Sequence, residues 1–263
     1  MTDRTVLLTA NAGFFISVGD ISLAVDAFPR MSDRGFSALS EDHFQQLCQR
    51  SDLADIRYVI ATHDHGDHYS KRWNEQFLQC HPQARFIGAV TEERGPQNKN
   101  SHAGSLPVDP PILLRSDRPT YYLPGITFEF LRLPHEGADF ADVTNYGCLA
   151  TISPSCNAIS SSANSGPCRI LFVGDAKPAD PTIAEWIGGR HIDLALLNFP
   201  WIALPKGRRF IEEYLPNTKI GVIHLPYEAD DRNHYVTAAR KATEQITTHA
   251  ITLFTEFGQE LLF

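Results

Sequence analysis

Residues 62–68 read THDHGDH, three histidines and two aspartates in seven positions. As core residues they would need partners for three imidazoles and two carboxylates in one small volume, and solvated surface loops rarely choose His three times. A bound cation accounts for the composition. His63 and His65 are two apart, so an extended backbone aims both side chains to one side. On a helix the same spacing would place them on different faces. His65 and His68 are three apart, which suits a turn entering a helix. The stretch therefore curls and presents its side chains inward. Imidazole and carboxylate together are the ligand set of a borderline divalent metal such as zinc, and they also suit manganese or iron. No thiolate lies close in sequence, which argues against a structural Cys-rich site.

The strand that delivers this stretch is RYVIAT (57–62), a buried-strand run. One metal needs three or four protein ligands, so further ligands are expected at later strand ends. His135 follows the alternating run ITFEFLRLP (126–134), Asp175 ends RILFVGD (169–175), and His224 lies near the end of IGVIHL (220–225). Each is a polar residue where an apolar strand stops.

Before the motif the chain reads as β: VLLTA (6–10), GFFISV (13–18) and ISLAVDA (21–27), separated by Asn-Ala-Gly and Gly-Asp turns. A helix over 41–50 is capped by Ser40. Residues 70–79 predict a helix and 85–90 a strand. The polar, Pro-rich stretch 91–118 predicts a long loop, either a lid or plain surface. YGCLATIS (146–153) and 169–175 read as strands joined by a low-complexity hairpin loop. Beyond 180, helices near 181–188, 207–214 and 234–246 alternate with strands at 193–199, 220–225 and 250–254. Strands first and β/α alternation afterwards predict sheets covered by helices in a layered sandwich.

The 263 residues suffice for one sizeable core, and no composition break demands a second domain. A formal net charge of −8 with no dense basic cluster argues against a nucleic-acid partner. No apolar run approaches the roughly 18 residues of a membrane span, and MTDRTVLLTANAGFF has no signal-peptide pattern. The five cysteines form no C-x-x-C pair. Free thiols in a cytoplasmic protein are the expectation, although Cys156 and Cys168 bracket a Ser-rich stretch and leave a disulfide open.

H-x-H-x-D-H followed by His135, Asp175 and His224 resembles the metal-binding pattern of the metallo-β-lactamase fold superfamily. NAGFFI and ISLAVDAF resemble that superfamily's opening hairpin, and VGDAKP its bridging-aspartate segment, so the resemblance covers nearly the whole chain. With Asp67 beside His68 the chain looks nearest to the ascorbate-phosphate lactonase-like and phosphodiesterase-like branch. The implied fold is α/β (α+β), a four-layer αββα sandwich forming a single domain over 1–263, with the site at the sheet edges. The resemblance implies one metal held by His63, His65 and His135, and a second by Asp67, His68 and His224, with Asp175 bridging. Asp26 matches the family aspartate that orients a metal-bound His. Asp64 has no role in the family pattern, and His43, His81, His102, His191, His234 and His249 match no ligand position.

The activity so implied is a binuclear metal-dependent hydrolase, with zinc as the default ion pair. A metal-bridging hydroxide would attack a small ester, lactone or phosphodiester, and Asp67 would handle the proton. A small, anionic substrate suits the local positive charge. Asn198-Phe199-Pro200-Trp201 and Lys177 are expected at the mouth, with Trp201 either a packing residue or a substrate platform. Lys206, Arg208 and Arg209 are candidates to receive a phosphate or carboxylate, or else a solvated helix start. Three rivals remain: a flavodiiron-like redox protein, an RNA-processing nuclease of the same fold, and a non-catalytic metal-binding scaffold. Flavodiiron proteins carry Glu where this chain has His65, and a flavodoxin module for which 263 residues leave no room.

Overall fold

The computed structural model describes residues 4–29, 35–91, 110–153 and 166–263. Two seven-stranded sheets face each other. The first comprises β1 (Arg4–Ala10), β2 (Gly13–Val18), β3 (Ile21–Val25), β4 (Tyr58–Ala61), β5 (Arg85–Gly88), β6 (Ile112–Leu113) and β14 (Glu260–Leu262), in the order β14-β1-β2-β3-β4-β5-β6. The second comprises β7 (Thr120–Leu123), β8 (Ile126–Leu133), β9 (Asn145–Ile152), β10 (Cys168–Phe172), β11 (Leu194–Asn198), β12 (Lys219–Ile223) and β13 (Ile251–Leu253), in the order β13-β12-β11-β10-β9-β8-β7. Each sheet is antiparallel on one side and parallel on the other. Pairing turns parallel at β3–β4 in the first sheet and at β10–β11 in the second.

Strand alternation creates three apolar layers, because successive side chains point to opposite faces. In β1, Val6 and Leu8 point between the sheets while Leu7 points outward. The layer between the sheets includes Phe14, Ile60, Phe128 and Phe172. Outside the first sheet, α1 (Glu41–Gln49) and α2 (Lys71–Cys80) bury Phe44, Leu47, Trp73 and Phe77. Outside the second, α3 (Pro181–Ile187), α4 (Pro200–Ala203), α5 (Pro205–Tyr214) and α6 (Tyr235–Thr243) bury Ile183, Trp201, Phe210 and Ala239. This is the expected αββα arrangement. Ser40 caps α1 by accepting from the His43 amide at 3.0 Å, as its sequence position predicts.

The 91–118 stretch is not all loop: Ile112–Leu113 pairs parallel with β5, while 92–109 lies outside the described residues. β7, α4 and β14 were not anticipated as elements. β9 and β10 pair antiparallel, and Cys168, opposite Ile152 at the end next to their connection, is a free thiol. Cys156 falls outside the described residues. Among the described residues no helix is long and apolar enough to cross a membrane.

Candidate metal centre

The switch to parallel pairing matters for the site, because parallel strands bring their C-terminal ends to one rim. β3 leads directly into Asp26, β4 runs into the THDHGDH turn, and β12 leads directly into His224. β10 leads through Gly174 to Asp175, and β8 leads to His135, which bridges to Ala176. Two backbone bonds tie the sheets together at this rim: the Tyr146 amide donates to Thr62 O, and the His224 amide to Asn11 O, both at 3.0 Å. The turn itself forms as its spacing predicts, with the His68 and Tyr69 amides donating to His65 O at 3.0 and 2.8 Å.

All seven expected ligands converge. Ligand atoms of His63, His65, His135 and Asp175 lie within 4.8 Å of one another, and so do those of Asp67, His68 and His224. Asp175 Oδ2 stands between the two groups, 3.5 Å from His135 Nε2, 3.3 Å from His68 Nε2, 3.2 Å from His224 Nε2 and 4.0 Å from His63 Nε2. His224 Nε2 is also 3.3 Å from Asp67 Oδ2, and His63 Nε2 is 3.2 Å from His65 Nδ1. Two ligands bound tetrahedrally to one ion at zinc-like distances sit about 3.3–3.5 Å apart. Apart from the 4.0 Å between His63 and Asp175, the observed spacings of 3.2–3.5 Å match that edge length.

The far side of three of the five rings supports the same assignment. His68 Nδ1 is 2.9 Å from Asp26 Oδ2, His135 Nδ1 donates to Glu136 O at 2.7 Å, and His63 Nδ1 is 3.0 Å from Thr62 Oγ1. Thr62 Oγ1 donates to Asp26 Oδ2 at 2.6 Å, so it is left to accept from His63. These partners fix a proton on Nδ1 and turn the Nε2 atoms inward. Nε2 of His68, His135 and His224 and Oδ1 of Asp175 are buried with no hydrogen-bond partner. Buried polar atoms are seldom left so, and divalent cations held by the two ligand groups would satisfy all four. Asp26, His63 and His68 also form a close triad. Asp26 is already engaged by the Thr62 hydroxyl and amide and by His68, so it orients rather than ligates.

Charge follows geometry. Burial pushes the His63 imidazole well below its ordinary value, and neighbouring His68 adds to the effect. Burial and His135 lower His65. Burial also pulls on His68, but Asp175, Asp67 and Asp26 outweigh it and hold that ring well above the usual range. His224 is treated likewise by Asp175 and Asp67 and is carried up to about 9. Despite burial, Asp67 and Asp175 are held well below the usual carboxylate range by His68 and His224.

Several supporting residues carry no motif. Asn11, in the Asn-Ala-Gly turn with φ of 53°, donates from Nδ2 to Asp67 O at 3.2 Å and lies 3.3 Å from Asp67 Oδ2. Asn145 accepts from the Asp175 amide at 3.1 Å and donates to Val173 O at 3.2 Å. Gly174 has φ of +56°, and a Cβ there would lie 2.3 Å from Asn145 Oδ1 and 2.8 Å from Thr62 Oγ1. Only the missing side chain lets β10 turn into Asp175. The signals were a turn Asn, a strand-start Asn and a Gly before Asp, and none is specific in sequence.

A cavity of about 330 Å³ opens on the centre. It is lined by His65, Asp67, His135, Asp175 and His224, and beyond them by Phe36, Glu136, Phe140, Asn198, Phe199, Pro200 and Tyr235. Asn198, Phe199 and Pro200 thus reach the mouth as expected. Trp201 does not: it is fully buried, and its Nε1 donates to Ala176 O at 3.3 Å, which makes it a packing residue. Lys177, Lys206, Arg208 and Arg209 are not among the lining residues. Arg208 donates instead to Ile202 O and Ala203 O at the end of α4. Asp64 and, among the described residues, His43, His81, His191, His234 and His249 belong to none of the ligand groups. His102 lies outside the described residues.

No protein-family model matches the sequence, and no curated protein sequence matches it. Solved structures do resemble it. One is described as a possible metal-dependent hydrolase from Veillonella parvula, with TM-score 0.62 at 14% identity over 100% of both chains. Another is the metallo-β-lactamase fold protein YhfI from Bacillus subtilis, with TM-score 0.62 at 11% identity over 99% of both chains. A third is an isothiocyanate hydrolase from Delia radicum gut bacteria, with TM-score 0.59 at 14% identity over 98% of both chains. Likeness at this identity reports on architecture, and with the two sheets, their helical covers and the shared rim it leads to one conclusion: the chain has the metallo-β-lactamase fold.

Proposed function

We propose that the protein is a binuclear metal-dependent hydrolase of small ester, lactone or phosphodiester substrates. The observation that supports it most is the set of inward-facing, unpartnered Nε2 atoms gathered around Asp175 Oδ2. In this reading His63, His65 and His135 hold one ion and Asp67, His68 and His224 the other, with Asp175 shared. Zinc is the default, and manganese or iron fits the same donors. Such an ion pair lowers the pKa of water towards ~7 and polarises a carbonyl or phosphoryl oxygen.

The chain's own groups do the rest. Asp26, Thr62 and the Glu136 carbonyl hold three imidazoles in one tautomer, so little reorganisation is needed when substrate arrives. Asp67 stays ionised and is steadied by Asn11; so low a proton affinity suits it to holding a cation and orienting the attacking water rather than to storing the proton. Phe36, Phe140 and Phe199 narrow the approach and exclude bulk water. The test is a panel of lactones, phosphodiesters, esters and thioesters offered to protein reloaded separately with zinc, manganese and iron. Metal-dependent turnover of at least one class, lost in Asp67→Asn, is expected. No turnover with any ion would overturn the reading, and an iron-specific visible spectrum with redox activity would favour the flavodiiron-like rival.

A further inference from the structure

The cavity walls beyond the centre carry information about the substrate's non-reacting end. Phe36 stacks on Tyr235 with ring centres 5.6 Å apart and planes 10° from parallel, and Phe199 lies 6.1 Å from Tyr235. These three rings make an apolar wall that bends where Phe199 tilts 54° from Tyr235. Set into the same lining are Glu136 and Asn198. Asn198 ends β11, between the strands that lead to Asp175 and His224, and is only 2% exposed. Glu136 Oε2 and Asn198 Oδ1 are buried, and neither has a hydrogen-bond partner. Both are acceptors, and a bare buried acceptor is costly unless something donates to it. The described lining contains no Lys or Arg. A second anionic group on a substrate would therefore face the Glu136 carboxylate with no side-chain cation to receive it.

We infer that the substrate's non-reacting end is a ring-sized apolar group bearing an N–H donor, an amine or amide, which Glu136 accepts while the Phe36–Tyr235–Phe199 wall packs on the ring. This deepens the hydrolase reading, and rests on it for the reacting end only. Asn198 supplies the second acceptor. Substrates with a remote phosphate or carboxylate are disfavoured, contrary to the anionic substrate that the sequence alone suggests.

The experiment uses three aryl acetates that differ only in the para substituent, CH2NH3+, CH2OH or CH2COO−, and the three phenols they release. kcat/KM is measured for the esters with zinc-loaded protein, and phenol binding is measured by calorimetry as a readout independent of turnover. The expected order in both assays is amine, then alcohol, then carboxylate, with about tenfold or more between the ends of the series, as befits a charge-assisted hydrogen bond. Glu136→Gln should flatten the order and Glu136→Lys should invert it. Each comparison is made within one variant, so partial loss of folded protein cancels. A wild-type preference for the carboxylate, or an order unchanged in Glu136→Gln, would overturn the inference even if hydrolysis proceeds. If no ester turns over but the phenols still rank as expected, the hydrolase reading falls and this one stands.

Discussion

Asp26 and His68 are 42 residues apart in the chain and 2.9 Å apart in the fold, Oδ2 to Nδ1. Asp26 also receives the Thr62 amide at 2.8 Å and the Thr62 hydroxyl at 2.6 Å, so one buried carboxylate organises two of the three histidines of the motif. It does so from φ of +46°, a region that non-glycine residues seldom occupy. Asp26→Asn keeps the shape but weakens acceptance at two positions. The expected outcome is metal affinity lower by roughly 10–100-fold, read by competition with a chromophoric chelator. Wild-type affinity would mean that His68 needs no orientation from Asp26.

The central position of Asp175 separates it from Asp64, although both are aspartates of the same rim. Protein purified without chelator should hold two ions per chain, because the gathered ligands exceed what one tetrahedral ion can use. Asp175→Ala should lose metal and turnover together, while Asp64→Ala should retain both ions. Elemental analysis of the two variants decides. Equal losses would mean that the turn has been assigned wrongly.

Gly174→Ala tests the backbone rather than the ligands. The added methyl would meet Asn145 Oδ1 and Thr62 Oγ1, in a left-handed conformation that already disfavours it. Destabilisation on the order of 1–3 kcal/mol is expected, a fall of several degrees in Tm, with metal loss because Asp175 must move. Unaltered melting and metal content would show that the β10 exit is softer than its contacts imply.

The ligands were legible because they sit where apolar strands stop, and because four crowd into one turn. The layer architecture was legible for the same reason: β1, β2 and β4 carry long apolar runs whose period sorts them onto two faces. β6 and β14 have two and three residues, too short for any period to register, and they exist through pairing with β5 and β1. Trp201 was ambiguous because a buried indole and a substrate platform look alike in sequence. Its burial and its bond to Ala176 O come from α4 folding back on the sheet. The cavity wall was illegible because Phe36, Phe199 and Tyr235 stand far apart in the chain, and only the rim brings them together.

The two halves of the centre should respond differently to pH. Before metal binds, burial alone would lower His224, but Asp175 and Asp67 raise it to about 9, and His68 is likewise held well above its ordinary value. Both rings therefore keep a proton at neutral pH, and an ion entering between Asp67, His68 and His224 must displace it. His63 and His65 are lowered, chiefly by burial, and are already neutral there, so they offer their lone pairs without competition. The sign follows: as pH falls from about 9, affinity on the Asp67–His68–His224 side should drop by up to about tenfold per pH unit for each competing proton. Affinity on the side of His63 and His65 should hold over that range. Acidification should thus pass through a one-ion protein with activity already reduced, and restoring pH with added metal should recover both. Ion stoichiometry after desalting at pH 9 to 5, with calorimetry in two buffers to count protons, would follow it, and His224→Ala should abolish the early step. Release of both ions in one step below pH 6 would contradict this order.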